Sequence, residues 1–344
     1  MANKKILFFK LGALGDVLMS TPLIRQVRKN YPNAKIDFLI GKSSAIVLKN
    51  NKNINKIISF NPNIFLKKNL FGLIRLIKQI KKQKYDLIFI LDKHWIFNLT
   101  AFLFGIKKRI GFNRRNEGIL LTTKVPYGQI RHEIYYYLDL GKKVGLKIDY
   151  KDIQIDLTLT KQDDSFARFF WKKYQLNGKK VAMVAPGGGN EADKFSYMRV
   201  PSVYQYINLI KELLNKKYYI ILVGAKNDSS IGKKIIQKIN SKRIINLIEK
   251  TSPAQTAALS KFCNCAICND AGAMHIIASS NKKVYSIFTI TNPLKKAPLW
   301  KTSKSIWLNK EDYCKKCEII GNYSYYNKKI NKIFKKQIRI SEFI

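Results

Sequence analysis

The sequence predicts an α/β protein made of two doubly wound domains that face each other across a cleft. Three observations carry that prediction. Short, continuous apolar runs alternate with longer segments, the rhythm of parallel strands joined by crossover helices. The rhythm occurs twice, on either side of a polar, acid-containing stretch, YKDIQIDLTLTKQDDSFARFFWKKYQ (150–175). The length of 344 residues suits two domains better than one.

In the first half, KILFF (5–9), KIDFLI (35–40), KIISF (56–60), YDLIFIL (85–91) and KRIGF (108–112) read as strands. In the second half, KVAMVAP (180–186), YYIILVG (218–224), RIINL (243–247), CAICN (265–269), VYSIF (284–288) and SIWL (305–308) do the same. The segments between them are mostly long enough for helices. One of these, SVYQYINLIKELLNKK, places Val203, Ile207, Ile210 and Leu214 at helical spacing. The linker is expected near 157–165, giving domains 1–160 and 161–325. A basic tail, 326–344, contains INKIFKKQIRI, which reads as a last helix packing back across both domains. No repeat at a solenoid period is visible.

The apolar content of 46% is ample for two cores. No apolar run reaches the 18 residues of a membrane span. The basic, apolar N-terminus lacks a clear signal-peptide core and cleavage site, and Asp16 interrupts it, so a cytoplasmic protein is expected. The net charge of +42 raises the question of nucleic acid. Its distribution argues against a dedicated groove: 29 basic and 8 acidic side chains in 1–150, 24 and 10 in 151–300, 11 and 4 in 301–344. Such a surface is expected to be drawn to anionic membranes, with no specific nucleic-acid partner.

The five cysteines form no regular framework, which fits a reducing compartment. Cys314-Lys-Lys-Cys317 has the spacing of half a zinc site. Its only partners would be Cys263, Cys265 and Cys268, in a segment that reads as buried strand, so structural cysteines and no metal are expected.

The strand ends carry the chemistry. KILFFKLGALGDVLMSTP places Gly12, Gly15 and Asp16 where the first strand gives way to the first helix. Ligands of open α/β sheets bind beyond the carboxyl ends of strands. Glycine admits a substrate to the backbone and a carboxylate can take a proton; a tight turn with a helix cap is the plainer alternative. In the second half, Gly187, Gly188 and Gly189 expose successive backbone N–H groups as an anion nest or form a plain loop, with Lys194 and Arg199 close behind. Asp228 follows the strand ending at Gly224 and is a weak candidate for a ribose hydroxyl. Asp270, Ala271 and Gly272 stand where a helix should start, and its first N–H groups suit a phosphate. His275 follows, as a ligand contact or as a packed core histidine. No GxGxxG fingerprint or Walker A loop is present, which argues against a dinucleotide oxidoreductase or a P-loop ATPase.

In this order, KILFFKLGALGDVLMSTPLIRQVRKNYPNAKIDFLI, KKRIGFNRRNEGILLTTKVPY, HEIYYYLDLGKKVGL, APGGGN and CNDAGAMHIIASSNKKVYSIFTITNPLKKAP resemble glycosyltransferase family 9, the lipopolysaccharide heptosyltransferase family. The Cys314–Cys317 pair also looks like a family feature. The resemblance covers most of residues 1–320. It implies a GT-B fold of two Rossmann-like domains, the first binding acceptor and the second binding donor. It implies inverting transfer of a sugar, usually an ADP-activated heptose, to a lipid-linked core glycan at the inner membrane, with no cofactor or metal. Asp16 resembles the family's catalytic base, and Gly12 and Gly15 make room for the sugars. Gly187, Gly188, Lys194, Arg199, Asp228, Asp270, Ala271, Gly272 and His275 fall on the donor side. Two positions depart from the pattern: Met198-Arg199-Val200-Pro201 where the family often has Lys-Arg-Trp-Pro, and Ala271 where Ser or Thr is usual. A nucleotide-binding member without activity, and a polyanion-binding protein, are the alternatives.

Overall fold

The computed structural model describes residues 4–188 and 195–343. The chain divides into two compact units, Met1–Thr158 and Leu159–Ile344. The division falls inside the polar stretch that separates the two series of strands.

The first unit holds β1 (Lys5–Lys10), β2 (Lys35–Gly41), β3 (Lys56–Phe60), β4 (Leu87–Ile90), β5 (Lys108–Asn113) and β6 (Thr123–Pro126). They form one sheet in the order β3-β2-β1-β4-β5-β6, every pair parallel. The second unit holds β7 (Val181–Ala185), β8 (Tyr219–Leu222), β9 (Ile244–Asn246), β10 (Cys265–Asn269), β11 (Val284–Phe288) and β12 (Lys304–Trp307). Their order, β12-β11-β10-β7-β8-β9, is the same winding repeated. In each unit the order reverses between the first and fourth strands, β1 and β4, then β7 and β10. At such a reversal, the loops leaving the two strands diverge to opposite faces and open a crevice.

The inner strands β1, β2, β4, β7, β10 and β11 are buried on both faces, which is why they read as continuous apolar runs. Phe8 stacks on Phe38 and Phe89 (centroids 5.8 and 5.0 Å). Its neighbour Phe9, pointing the other way, packs among Phe60, Phe65, Phe97 and Phe104. Alternating aromatics along one strand thus fill both layers. Helix Val203–Asn215 forms as its spacing predicts, with Ser202 and Gln205 making a capping box and Ile207, Ile210 and Leu214 in the core.

Three features differ from the sequence expectation. Strand β6 was not anticipated: only Val125 of its four residues is buried, and Pro126 fits an edge strand that pairs on one side. Residues 330–343 are neither a bare tail nor a single helix. A short helix, Ile330–Lys335, is followed by extended chain, and Ile330, Ile333, Ile338 and Phe343 join the second unit's core, with Phe343 against Tyr285 (5.0 Å). Finally, Cys314 and Cys317 are joined by a disulfide, although neither the cysteine count nor the spacing signalled one. Cys314 caps the helix Lys315–Ile320, so one helical turn carries Cys317 back to it.

Cys263, Cys265 and Cys268 are buried free thiols. Burial raises all three above the usual thiol range, Cys265 to about 12, which leaves them protonated and unreactive. Native protein is expected to give no rapid reaction with a thiol reagent at pH 8. Unfolding without reductant should release three thiols and reduction two more; five thiols without reductant would contradict the disulfide.

Candidate functional site

Helix α1 (Leu14–Met19) begins four residues after β1, and α2 (Thr21–Asn30) follows it. The turn between β1 and α1 is held from two sides. Gly41, ending β2, lies so close to Leu11 that a Cβ there would sit 2.1 Å from the Leu11 carbonyl oxygen, so only glycine fits. A Cβ on Gly12 would meet Ser44 Oγ at 3.1 Å. On the other side, Asp92 at the end of β4 accepts hydrogen bonds from Leu11 N (2.6 Å) and Lys10 Nζ (3.1 Å).

Lys10 is 2% exposed and its ammonium also lies 4.0 Å from Asp16 Oδ2. Burial opposes its charge, but Asp92 and then Asp16 outweigh that and raise its pKa above the ordinary lysine value. A second, half-buried cation follows. Lys93 Nζ donates to Glu133 Oε2 (2.8 Å), and Glu133 also accepts from the Tyr127 hydroxyl. Lys93 sits over the rings of Tyr127, Phe112 and Tyr137 (4.6, 5.7 and 5.9 Å). Again burial opposes the charge while Glu133, Tyr137 and Asp16 restore it, and the pKa is raised. Buried Tyr137 is driven well above the usual phenol value, by burial first and against the pull of Lys93.

The crevice end of the first sheet therefore gathers a buried lysine, a half-buried one and three carboxylates. The carboxylates differ in access: the Glu133, Asp92 and Asp16 side chains are 2%, 17% and 25% exposed. Asp16, in the first turn of α1, is the most open of the three.

In the second unit, Gly187 and Gly188 leave β7. A Cβ on Gly187 would sit 2.0 Å from the Asp228 carboxyl carbon, and one on Gly188 2.6 Å from Val200 Cγ2. Asp228 is 5% exposed, and its Oδ2 accepts from Ala225 N (2.8 Å). Its carboxylate is thus packed under the glycine turn, which cannot carry side chains for that reason. Asn269, ending β10, orients its amide nitrogen to Ala185 O, Gly187 O and Tyr206 Oη (3.1 Å each), tying the ends of β7 and β10 together.

Asp270 is 3% exposed and accepts from Thr291 Oγ1 (2.8 Å). Ala271 occupies the N-cap of helix Gly272–Ala278 and no side chain caps its first amides. His275, one turn in, is 4% exposed. Arg199 is buried on the short helix Ser196–Arg199, while Met198 beside it is wholly in the core and its carbonyl accepts from Thr289 Oγ1. Position 198 thus serves packing in this chain. Lys295 pairs with Glu318 (3.7 Å), both buried; burial raises the Glu318 pKa against that pairing. Tyr323 lies within the field of Arg199, Asp270 and Glu318, and burial lifts it well above its ordinary value. Gly189, Asn190 and Lys194 lie outside the described residues.

The structure thus gathers Gly12, Gly15 and Asp16 at one strand-order reversal, and Gly187, Gly188, Asp270, Ala271 and Gly272 at the other. Lys10, Asp92, Lys93, Glu133, Lys295 and Glu318 escaped sequence reading. A signal existed for Asp92-Lys93: they directly follow the apolar run of β4, but strand order is needed to bring them beside β1.

Two units with one winding, each with glycine turns and charged side chains at its reversal, define a pair of nucleotide-binding-type domains, the GT-B class of glycosyltransferases. The family model of glycosyltransferase family 9 (heptosyltransferase) matches residues 73–323, and the chain belongs to that family; it is a glycosyltransferase. It is 24% identical over 295 residues to lipopolysaccharide heptosyltransferase 2 of Escherichia coli K12, covering 84% of each chain. It is 26% identical over 301 residues to lipooligosaccharide heptosyltransferase 2 of Haemophilus influenzae, covering 83% of each. Among solved structures, E. coli ADP-heptose LPS heptosyltransferase II superposes with TM-score 0.72 at 22% identity, over 88% of this chain and 90% of that one. A family 9 glycosyltransferase of Veillonella parvula gives 0.75 at 18%, over 99% and 91%.

Lys10 and Lys93 hold their protons above the ordinary 10.5. Their pairing therefore stabilises the fold fully below pH ~10.5 and is lost as pH rises through the elevated values. Melting temperature is expected to fall above that pH, and less steeply in a Lys93→Met/Glu133→Gln variant. An identical slope in the variant would refute the linkage.

Proposed function

We propose that this glycosyltransferase moves a heptose from ADP-heptose onto a lipopolysaccharide core or related lipid-linked glycan, with inversion and without a metal ion. The observation that carries the reading is Asp16: a carboxylate at the β1 reversal, a quarter exposed, beside a buried ammonium. Asp92 and Glu133 lie deeper, holding Lys10, Leu11, Lys93 and Tyr127, and Asp16, the most exposed of the three, is the one best placed to take a proton. It removes the acceptor hydroxyl proton as that oxygen attacks the anomeric carbon from the face opposite the nucleotide. Gly12 and Gly15 keep the adjoining turn narrow for the acceptor.

The leaving diphosphate gains negative charge, and donors fixed in advance stabilise it best. In the second unit those are the backbone N–H groups at Gly187, Gly188 and Gly272, with Arg199 as a cation; Lys194 is given the same role from its place in the sequence. Asp270 and His275 hold sugar or ribose hydroxyls. Asp228 acts beneath the glycine turn, keeping Gly187 and Gly224 in place, and contributes to the donor site through them. The donor assignment is supported by the relatives' names and by a fold match to E. coli heptosyltransferase WaaC solved with ADP (TM-score 0.68). No helix among the described residues is long and apolar enough to cross a membrane. The basic surface supports work at the inner face of the inner membrane by peripheral contact.

Asp16→Asn is expected to lower transfer about 10²–10⁴-fold, with ADP affinity and melting temperature nearly unchanged; full activity would defeat the assignment. Calorimetric titration with ADP, UDP and GDP without divalent metal should show a clear preference for ADP. Preference for UDP or GDP would leave the transferase and change its donor.

A further inference from the structure

The helix Leu70–Lys81 on the first unit is only half used by the fold. Leu76 and Ile80 are buried and Leu73 and Ile77 half-buried, a stripe at i, i+3, i+4 and i+7. Elsewhere it shows apolar groups to solvent: Phe71 is 88% exposed, Leu70 68% and Ile74 50%, joined by Leu66 at 53% just before the helix. Single exposed apolar side chains are ordinary; four within nine residues form a patch.

The patch is held firmly from beneath. Phe65 packs on Phe97, Phe60 and Phe9 (5.0, 5.5 and 6.0 Å). Asn69 N donates to Ile64 O (3.1 Å), and the Asn69 side chain accepts from Gly72 N (2.9 Å). The apolar groups are therefore displayed on a fixed support.

Their charged surroundings are of one sign. Residues 61–85 contain seven Lys or Arg and no Asp or Glu. Lys67, Lys68, Arg75 and Lys78, interleaved with the apolar groups, are all exposed. Cores of protein–protein interfaces are poor in lysine. Two copies of this face would oppose like charges. An anionic bilayer satisfies both parts: apolar side chains enter the headgroup–acyl boundary, and lysine stems lie flat while their ammonium groups meet lipid phosphates.

We propose that segment 66–78 is the membrane-docking surface of this protein, specific for an anionic lipid bilayer and seated through Leu66, Leu70, Phe71 and Ile74. It rests on the reading that the acceptor is lipid-linked, and it gives the general basic charge a definite point of contact.

The test uses the full chain with Phe71→Cys carrying a polarity-sensitive dye. Cys263, Cys265 and Cys268 are buried and do not compete for the label. Tyr204→Cys, 67% exposed on the second unit, is the control. With phosphatidylglycerol–phosphatidylcholine vesicles at low salt, the dye at 71 should shift to the blue and the dye at 204 should not; pure phosphatidylcholine should produce neither shift. Phe71→Ser/Ile74→Ser should reduce cosedimentation with the anionic vesicles about tenfold. The proposal is overturned if wild type does not cosediment at low salt, if the double variant binds like wild type, or if both dyes shift alike. It is overturned too if the face mediates a dimer that the double variant dissolves. These binding measurements need no substrate. Failure of wild type to transfer from ADP-heptose to a detergent-solubilised lipid-linked core acceptor would count against the donor and acceptor reading and leave the docking result standing.

Discussion

The carboxylate of Asp92 holds together the part of this protein on which the rest depends. It receives the ammonium of Lys10 and the backbone N–H of Leu11 at once. Removing a lysine from water costs several kcal/mol unless an opposite charge meets it with good geometry. Lys10 is almost wholly buried, so Asp92 is required by the fold as well as by the site. The pair joins neighbouring strands where their order reverses, and so sets the mouth of the first crevice. Asp16 looks onto the same ammonium. Lys93 and Glu133 repeat the device one residue further on, with the Tyr127 hydroxyl donating to the same carboxylate.

The second unit reaches the same topology by other means. At its reversal the link between first and fourth strands is neutral: Asn269 reaches two carbonyls across the sheet end. Its glycines are dictated by crowding, with Asp228 and Val200 filling the space that side chains would need. Unit one concentrates opposite charges around an open carboxylate. Unit two packs a narrow glycine turn and buries its cations, Arg199 and Lys295, nearby. One winding thus supports two local chemistries, as expected when function is carried by strand-end loops over a constant scaffold.

Much of this could be read in advance because two-sided burial leaves continuous apolar runs. KILFF, KIDFLI and CAICN are strands within a residue of where their composition puts them. TKVP escaped because an edge strand with a terminal proline carries one buried side chain and no such run. The tail escaped because Ile330, Ile333, Ile338 and Phe343 are apolar at irregular spacing, and only the open flank of the second core gives them a place. The cysteine pair escaped because the same spacing suits a metal, a disulfide or neither.

Of the candidate site, the glycines and Asp16 were visible because strand-to-helix turns are local, and local backbone demands leave their mark on neighbouring residues. Lys10 with Asp92, and Lys93 with Glu133, were not: the partners lie 82 and 40 residues apart. Nothing in the local pattern distinguishes these lysines from the many others of this basic chain. By itself, then, the sequence determined the class of fold, its two-part division and the glycine turns at the strand ends. Tertiary structure alone decided which lysines are buried, which carboxylates neutralise them and which one stays open, because charge burial depends on strand order and on contacts between distant segments.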